Sequence, residues 1–275
     1  VMNADDYRAY VGGTSGLIYG YVNDGFYKVE DFEYFDSKSR TWKLKEGVVD
    51  SSPLSDTPRP GNAKFKKLTP VDPNSSNPYQ LTEADRTVIG NTTPKFSGGF
   101  GLNATYKGFD LSMFFNFMYD FDVFNANKVM LTTWADNHEN NFGMEVASDK
   151  RWRNFDDMGN EIRYSPELLA EFNKNATMWN PTSIGKPISM SYAVVDGSFL
   201  RLNSATLGYT LPQEWTKKAG LNKVRFYVAG SNLFTITGYS GYDPEVDIAT
   251  GLTPNIDNNR YPRSRTYTFG AQLTF

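Results

Sequence analysis

The sequence predicts an all-β chain: strands of an antiparallel β-barrel that crosses a bilayer, joined by long external loops. Three observations predict it. The last eleven residues, RTYTFGAQLTF (265–275), alternate without a miss and end on an aromatic. Segments 95–107 and 109–120 repeat that alternation around a tight turn. Every short connection between strands then falls on one side and every long one on the other, as outer-membrane barrels arrange them.

Taken in order, KFSGGFGLNATYK (95–107) puts Phe96, Phe100, Leu102 and Tyr106 on one face and Ser97, Asn103 and Thr105 on the other. Successive strand residues point to opposite faces, so the stretch separates an apolar side from a small polar one. Lys107-Gly108 makes a turn, and FDLSMFFNFMYD (109–120) answers with Leu111, Met113, Phe115 and Phe117 on the apolar side. The pair reads as an antiparallel hairpin. Phe114 and Met118 break its polar side, which must therefore pack against something inside. Strand 198–211 shows Ala205, Leu207, Tyr209 and Leu211 on one face over its second half and is ended by Pro212. Strand 223–233 is ambiguous, since Val224, Phe226 and Val228 face Arg225, Tyr227 and Ala229. The closing strand, 265–275, carries Tyr267, Phe269, Leu273 and Phe275 on its apolar face. Membrane strands of about 9–11 residues show this dyad period, and closure into a barrel removes the exposed edge that invites aggregation. The expected lipid-facing set is thus Phe100, Leu102, Leu111, Met113, Phe115, Phe117, Leu207, Phe269 and Leu273. Tyr106, Phe109, Tyr209 and Phe275 would form a periplasmic girdle, with Tyr119 and Tyr267 near the external ends.

Residues 1–94 read as a mainly extracellular loop region, and residues 95–275 as barrel strands with extracellular loops at 121–197 and 235–263. GLIYGYV (16–22) and FEYFDSKSRTWKL (32–44) could add strands, but they are short and lie among Pro, Ser and Asp. Five strands do not close a membrane barrel, so further strands are expected before residue 1, and the chain reads as processed or partial.

Composition narrows the class by exclusion. The 17 Tyr and 20 Phe make an aromatic-rich chain, and a net charge of −3 lacks the basic footprint of a nucleic-acid binder. Without cysteine there is no disulfide framework or thiolate metal site. A mean hydropathy of −0.51, with no run of 18 apolar residues, excludes a transmembrane helix but not a barrel, whose strands are only half apolar.

Catalytic chemistry finds little support, and the chain is not expected to be an enzyme. His138, the sole histidine, lies in the polar loop WADNHENN without strand-turn-helix context. Asp243, Glu245 and Asp247 in GYDPEVD could serve a glycosidase, but Asp243 capping a turn at Pro244, with the others solvated, is the preferred reading. In YSPELLAEFNK, Ser165 can N-cap a short helix that opens on Pro166, with Leu168, Leu169 and Phe172 packing inside the loop. Ligand contact is assigned to Trp134, Asn137, Trp152 and Trp179: flat rings stack on sugars and planar amides bond hydroxyls. Packing among the loop's own residues is the competing reading for each ring.

The runs YGYVNDGFY (19–27), ADRTVIGNTTPKFSGGF (84–100), DGSFLRLNSATLGYTLP (196–212), SNLFTITGYSGYDPEV (231–246) and YPRSRTYTFGAQLTF (261–275) resemble, in order, the C-terminal part of SusC/RagA-type TonB-linked outer-membrane transporters of Bacteroidetes. The resemblance implies an outer-membrane barrel of about 22 strands around an N-terminal plug, which this chain would lack. It also implies a SusD-type surface lipoprotein as lid, uptake of oligosaccharides or, less often, peptides, and drive from TonB at the periplasmic face. Relatives often carry a calcium-type acidic loop just before DRTVIGN. Here Asp72, Asn74, Ser76 and Glu83 would take positions 1, 3, 5 and 12, but Asn77 stands where the sharp-turn glycine is wanted, so a polar loop is preferred and no cofactor is expected. A soluble β-sandwich carbohydrate-binding module and a passive porin are the alternatives. A sandwich would bury its apolar faces in one core; a porin fits the strands equally well and is disfavoured only by the plug that the resemblance implies.

Overall fold

The computed structural model describes residues 6–55, 57–133, 143–146, 150–184, 188–246, 251 and 253–275. The chain divides into two compact units. One comprises Val1–Asn91, Phe124–Val194 and Ala249–Asn258, the other Thr92–Val123, Val195–Ile248 and Asn259–Phe275.

The second unit is built on five long strands: β1 (Phe96–Tyr106), β2 (Phe109–Tyr119), β3 (Phe199–Thr210), β4 (Lys223–Thr237) and β5 (Thr266–Thr274). They form one sheet in chain order, every neighbour antiparallel. The β1–β2 turn has left-handed backbone at both Lys107 (φ 46°) and Gly108 (φ 86°). That is the type I′ geometry, whose twist matches flanking antiparallel strands. Between β3 and β4, Pro212 ends the strand, a short helix follows over Gln213–Thr216, and Gly220 (φ 72°) terminates the next turn in the left-handed region.

Strand β4 runs four residues past its expected end at 233, to Thr237. The extension and the weak alternation of β3 share one cause. Register shifts between Leu202 and Ser204 against both neighbours: Asn203 is an extra residue against β2, whereas against β4 it opposes two residues, Asn232 and Leu233, with Asn232 at φ 53°. A bulge reverses the side-chain phase on either side of itself. Leu200 and Leu202 therefore share a face with Ala205 and Leu207, although the spacing across the bulge is odd.

The first unit gathers segments distant in sequence. The stretches 16–22 and 32–44 do form strands, but in small sheets of their own. Leu17–Gly20 pairs with Tyr7–Arg8 and Thr87–Asn91, while Phe32–Asp36 pairs with Thr41–Leu44. The main core joins Ile18, Phe65, Val129, Trp179, Ile184 and Met190. A second cluster packs Trp152, Ile162 and Leu169, with Phe26, Trp42 and Phe172 partly buried against it. Each of these large rings and branches contributes roughly 1.5–3 kcal/mol when fully buried.

The helix Pro166–Phe172 forms as its sequence directs: the Ser165 hydroxyl accepts from the Leu168 N–H at 3.5 Å, and proline opens the first turn. Leu169 and Phe172 pack inward as expected, whereas Leu168 points to solvent, because it lies on the helix flank away from Trp152 and Ile162. Ser165→Ala is expected to cost about 0.5–1 kcal/mol, the low end for a lost N-cap given the long, exposed bond; urea titration of the purified chain measures it.

Candidate functional site

The five-stranded sheet has two chemically opposite faces, and their registers can be followed residue by residue. Phe100 sits opposite Phe115 and Leu102 opposite Met113; Met113 pairs in turn with Ala205, and Leu111 with Leu207. Leu207 faces Val228, which faces Phe269, and Val224 faces Leu273. All nine residues expected on the apolar face therefore lie on one side of one sheet, and Val224, Phe226 and Val228 join them. The ambiguous strand is thereby assigned. This face is open: Phe100 is 44%, Leu102 51% and Phe269 77% exposed. Phe100 and Phe115 stack on each other with ring centroids 4.9 Å apart. At its ends stand Tyr106, Phe109 and Phe275 on one rim and Tyr119 and Tyr267 toward the other, all exposed.

The opposite face is polar and closely fitted. Arg225 reaches across β3 to Asp110: its Nε donates to Oδ1 at 2.9 Å and its Nη2 donates to Oδ2. The guanidinium passes directly over Gly208, where a Cβ would lie 2.3 Å from Nη2, so only glycine lets the pair form. Phe114, expected to break this face, lies over Gly99. Met118 packs at one end against Phe121, Val123, Phe199, Tyr239 and Val246.

Beside that cluster the polar face holds a buried ionic network. Arg201, 2% exposed, donates from Nη2 to Asp243 Oδ1 at 2.5 Å, and its Nη1 stands 3.5 Å from Glu245 Oε2. Arg263 Nη2 lies 3.0 Å from Glu245 Oε1. Asp243 Oδ1 also accepts from the Glu245 N–H at 2.9 Å, so the expected capped turn at Pro244 is present. The expected solvation of Glu245 is corrected: its carboxylate is held between two guanidiniums, which attract it out of water. Asp247 lies outside the described residues. Sequence periodicity missed Arg201, because counting back in twos from Ala205 across the bulge puts it on the apolar face.

The residues assigned to ligand contact separate. Trp134 and Asn137, with His138, Asn140 and Asn141, lie outside the described residues. Trp179 is 2% exposed inside the main core of the first unit, donating from Nε1 to the Thr132 carbonyl at 3.3 Å and meeting Tyr192 edge-on. With both faces packed it has none to offer a ligand, and the assignment is corrected to core packing. Trp152 is also buried, yet it lines an open cleft of about 500 Å³.

In the loop considered for calcium, Asp72 Oδ1 accepts from the Asn74 N–H at 2.9 Å, the bond of a polar turn, and the Asn77 amide donates to Asp50, outside the loop, at 2.6 Å. Asp85, in the DRTVIGN run, is fully buried in the first unit. Its carboxylate accepts from the N–H groups of Leu68, Thr69 and Thr82 at 2.7–2.9 Å and from the hydroxyls of Thr69 and Thr82. Lys67 Nζ stands 3.4 Å away. Burial alone would raise the pKa of Asp85, but the hydrogen bonds from Thr69, Thr82 and Leu68 outweigh it and hold the carboxyl well below the usual range. The one signal that could have flagged Asp85 is the Thr82-x-x-Asp85 spacing of a capping box, of which the bond from the Thr82 N–H to the Asp85 carboxylate forms at 2.8 Å.

Comparison with known proteins adds an independent line. No family model matches the sequence. TonB-dependent receptor P3 of Formosa agariphila is 32% identical over 270 residues, covering 96% of this chain and 22% of that receptor. TonB-dependent receptor SusC of Bacteroides thetaiotaomicron is 37% identical over 86 residues, 30% of this chain and 8% of SusC. Among solved structures, the RagAB peptide importer in its closed-closed state aligns with a TM-score of 0.61 at 22% identity, over 96% of this chain and 23% of that one. Its open-open state gives 0.58 at 21% identity. The fold is thus that of transporter-barrel strands, and the chain spans about a fifth of the length of the relatives that it matches over most of its own.

Proposed function

We propose that this chain, a homologue of the SusC-type TonB-dependent receptors and an outer-membrane protein, forms the C-terminal barrel wall of an importer together with loops that face ligand and lid. The observation that carries the reading is the two-faced sheet. An open, continuous face of Phe, Leu, Met and Val is costly in water at roughly 25 cal/mol per Å² and is stable against hydrocarbon. The opposite face, with Asp110, Arg225, Ser112 and Thr268, suits a wet lumen. Strands β1 and β5 each pair on one side only within the sheet. In a bilayer each unpaired backbone group costs several kcal/mol, so strands from the remainder of the receptor are assigned to those edges.

In this arrangement the short connections at 107–108 and 212–222 face the periplasm, and the long connecting segments are the external ones. Ligand enters from the external side under a SusD-like surface lipoprotein, and TonB acts through a plug outside this chain. The cargo is an oligosaccharide or a peptide; the RagAB neighbours are named peptide importers, and that supports keeping the peptide in the test. The chain does no covalent chemistry. A soluble β-sandwich module would bury the apolar face that stands open here, which speaks against that alternative.

Cells carrying the complete receptor are expected to accumulate a labelled oligosaccharide or peptide, and to lose that uptake when TonB is deleted. Uptake that persists without TonB would point to a passive porin. A protein that stays monodisperse in buffer without detergent would end the membrane reading altogether. Within the sheet, Leu102→Arg is expected to destabilise the barrel by about 2–4 kcal/mol, the cost of a cation facing mid-bilayer lipid. Asn103→Arg, one residue along and on the other face, should be tolerated; heat-modified gel mobility of the two variants compares them.

A further inference from the structure

We propose that the rim holding Lys107, Trp215, Lys217 and Lys218 is a docking surface for anionic phospholipid, an inference that rests on the barrel reading above. The rim lies wholly within the second unit and is continuous. The Gly108 carbonyl accepts from the Thr210 N–H at 2.8 Å, which seats the Lys107-Gly108 turn against the end of β3. Pro212 and the helix Gln213–Thr216 follow, and the Asn222 N–H donates to the Thr274 carbonyl at 2.8 Å, which carries the rim to the end of β5.

Two observations place this rim on the apolar side of the sheet. Lys107 holds its Nζ 5.3 Å from the centre of the Tyr106 ring, and Tyr106 alternates in phase with Phe100 and Leu102. A cation over such a ring is attracted by its negative face. The helix Gln213–Thr216 packs against β4, and Val224 at the start of that strand is only 5% exposed, although Phe226 and Val228 on the same face stand open. The connection therefore covers the apolar face at Val224, and at that level it carries Trp215, which is 61% exposed.

Charge names the occupant. The segments 106–110 and 209–224 carry Lys107, Lys217, Lys218 and Lys223 against Asp110 and Glu214. Asp110 is taken by Arg225 on the polar face, and Lys223 alternates in phase with Arg225, so both belong to the lumen side. The lipid side keeps Lys107, Lys217 and Lys218, all exposed, beside the Glu214 carboxylate, and among the described residues none of these lysines is ion-paired. Lysine stems lie along hydrocarbon while their ammonium groups reach the headgroup level, where an interfacial tryptophan also sits. Such a surface matches a phosphodiester with net negative charge; a zwitterionic headgroup offers the same phosphate but cancels it with its own cation. Each lysine near an anionic surface contributes about a fivefold preference. Tyr106, Phe109 and Phe275, all exposed, supply the apolar half of the contact.

Native mass spectrometry of the complete receptor in detergent, titrated with phosphatidylglycerol or phosphatidylcholine of the same acyl chains, tests the assignment. Phosphatidylglycerol is expected to bind at least about fivefold more tightly, and the preference should shrink as salt is raised. Lys107→Gln, Lys217→Gln and Lys218→Gln combined should abolish the preference, whereas Lys107→Arg, Lys217→Arg and Lys218→Arg combined, which keep the charge, should retain it. Trp215→Ala should loosen both lipids alike, since the ring supplies apolar contact and no charge. Equal binding of the two lipids, a preference that does not fall with salt, or an unchanged preference in the Gln variant folded by heat-modified gel mobility would each overturn the proposal. The barrel reading fails separately: a receptor that stays monodisperse without detergent refutes it, whereas a detergent-dependent receptor with no headgroup preference refutes the rim alone.

Discussion

Arg201→Leu is expected to destabilise the chain by about 3–5 kcal/mol, the cost of leaving buried carboxylates without their cation. Arg201 lies almost entirely out of water, and both Asp243 and Glu245 converge on it while themselves largely buried. Arg263 can neutralise Glu245 at 3.0 Å but stands 4.0 Å from Asp243, so the loss falls mainly on Asp243. The informative companion is the triple variant Arg201→Leu, Asp243→Asn, Glu245→Gln. Removing a whole buried ionic set is far less costly than removing one member, so the triple should recover much of the loss. Thermal unfolding in detergent, followed by circular dichroism, measures all three. A single variant as stable as the unaltered chain would show that the network contributes nothing net. A triple variant no better than the single would show that shape, not charge, is what Arg201 supplies.

Asp85→Ala is expected to cost a similar amount, about 3–5 kcal/mol, for a different reason. Here the carboxylate is the hub: three backbone N–H groups and two hydroxyls lose their acceptor at once, and Lys67 is left beside a cavity. The same hub sets a pH dependence. Because the folded-state pKa is depressed, the stabilisation is whole above the unfolded pKa of about 3.9 and drains away as the pH falls from there toward the lower folded value. Stability of the unaltered chain should therefore decline below about pH 4, while Asp85→Asn, which keeps an oxygen acceptor but no charge, should flatten that limb. Denaturant midpoints between pH 3 and 7 test both statements. A variant whose acid limb matches that of the unaltered chain would remove Asp85 from the explanation.

Legibility in the sequence tracked how local each signal was. Strands β1, β2 and β5 alternate with a period of two over nine to eleven residues, and their positions and faces can be read directly. The type I′ turn at Lys107-Gly108 and the Ser165 cap are likewise local and came out where expected. Strand β3 was legible only on one side of Asn203, because the bulge there inverts the phase, and β4 was undecided because apolar side chains occur on both of its faces. The local pairing of Phe32–Asp36 with Thr41–Leu44 lay within a stretch that reads as strand, whereas the pairing of Leu17–Gly20 with Thr87–Asn91 and the core around Trp179 were not legible, since they unite segments far apart in the chain.

By itself, then, the amino-acid order determined which long stretches are strands, which side of β1, β2 and β5 is apolar and which connections are short, because backbone pleating and turn conformation depend on near neighbours. Only the tertiary structure decided that Arg201 turns to the polar face and meets Asp243 and Glu245, that Asp85 gathers its donors from two separate segments, and that Trp152 lines a cleft while Trp179 is core. Those outcomes rest on strand register and on long-range contacts, and a single residue added to one strand is enough to redirect every side chain beyond it.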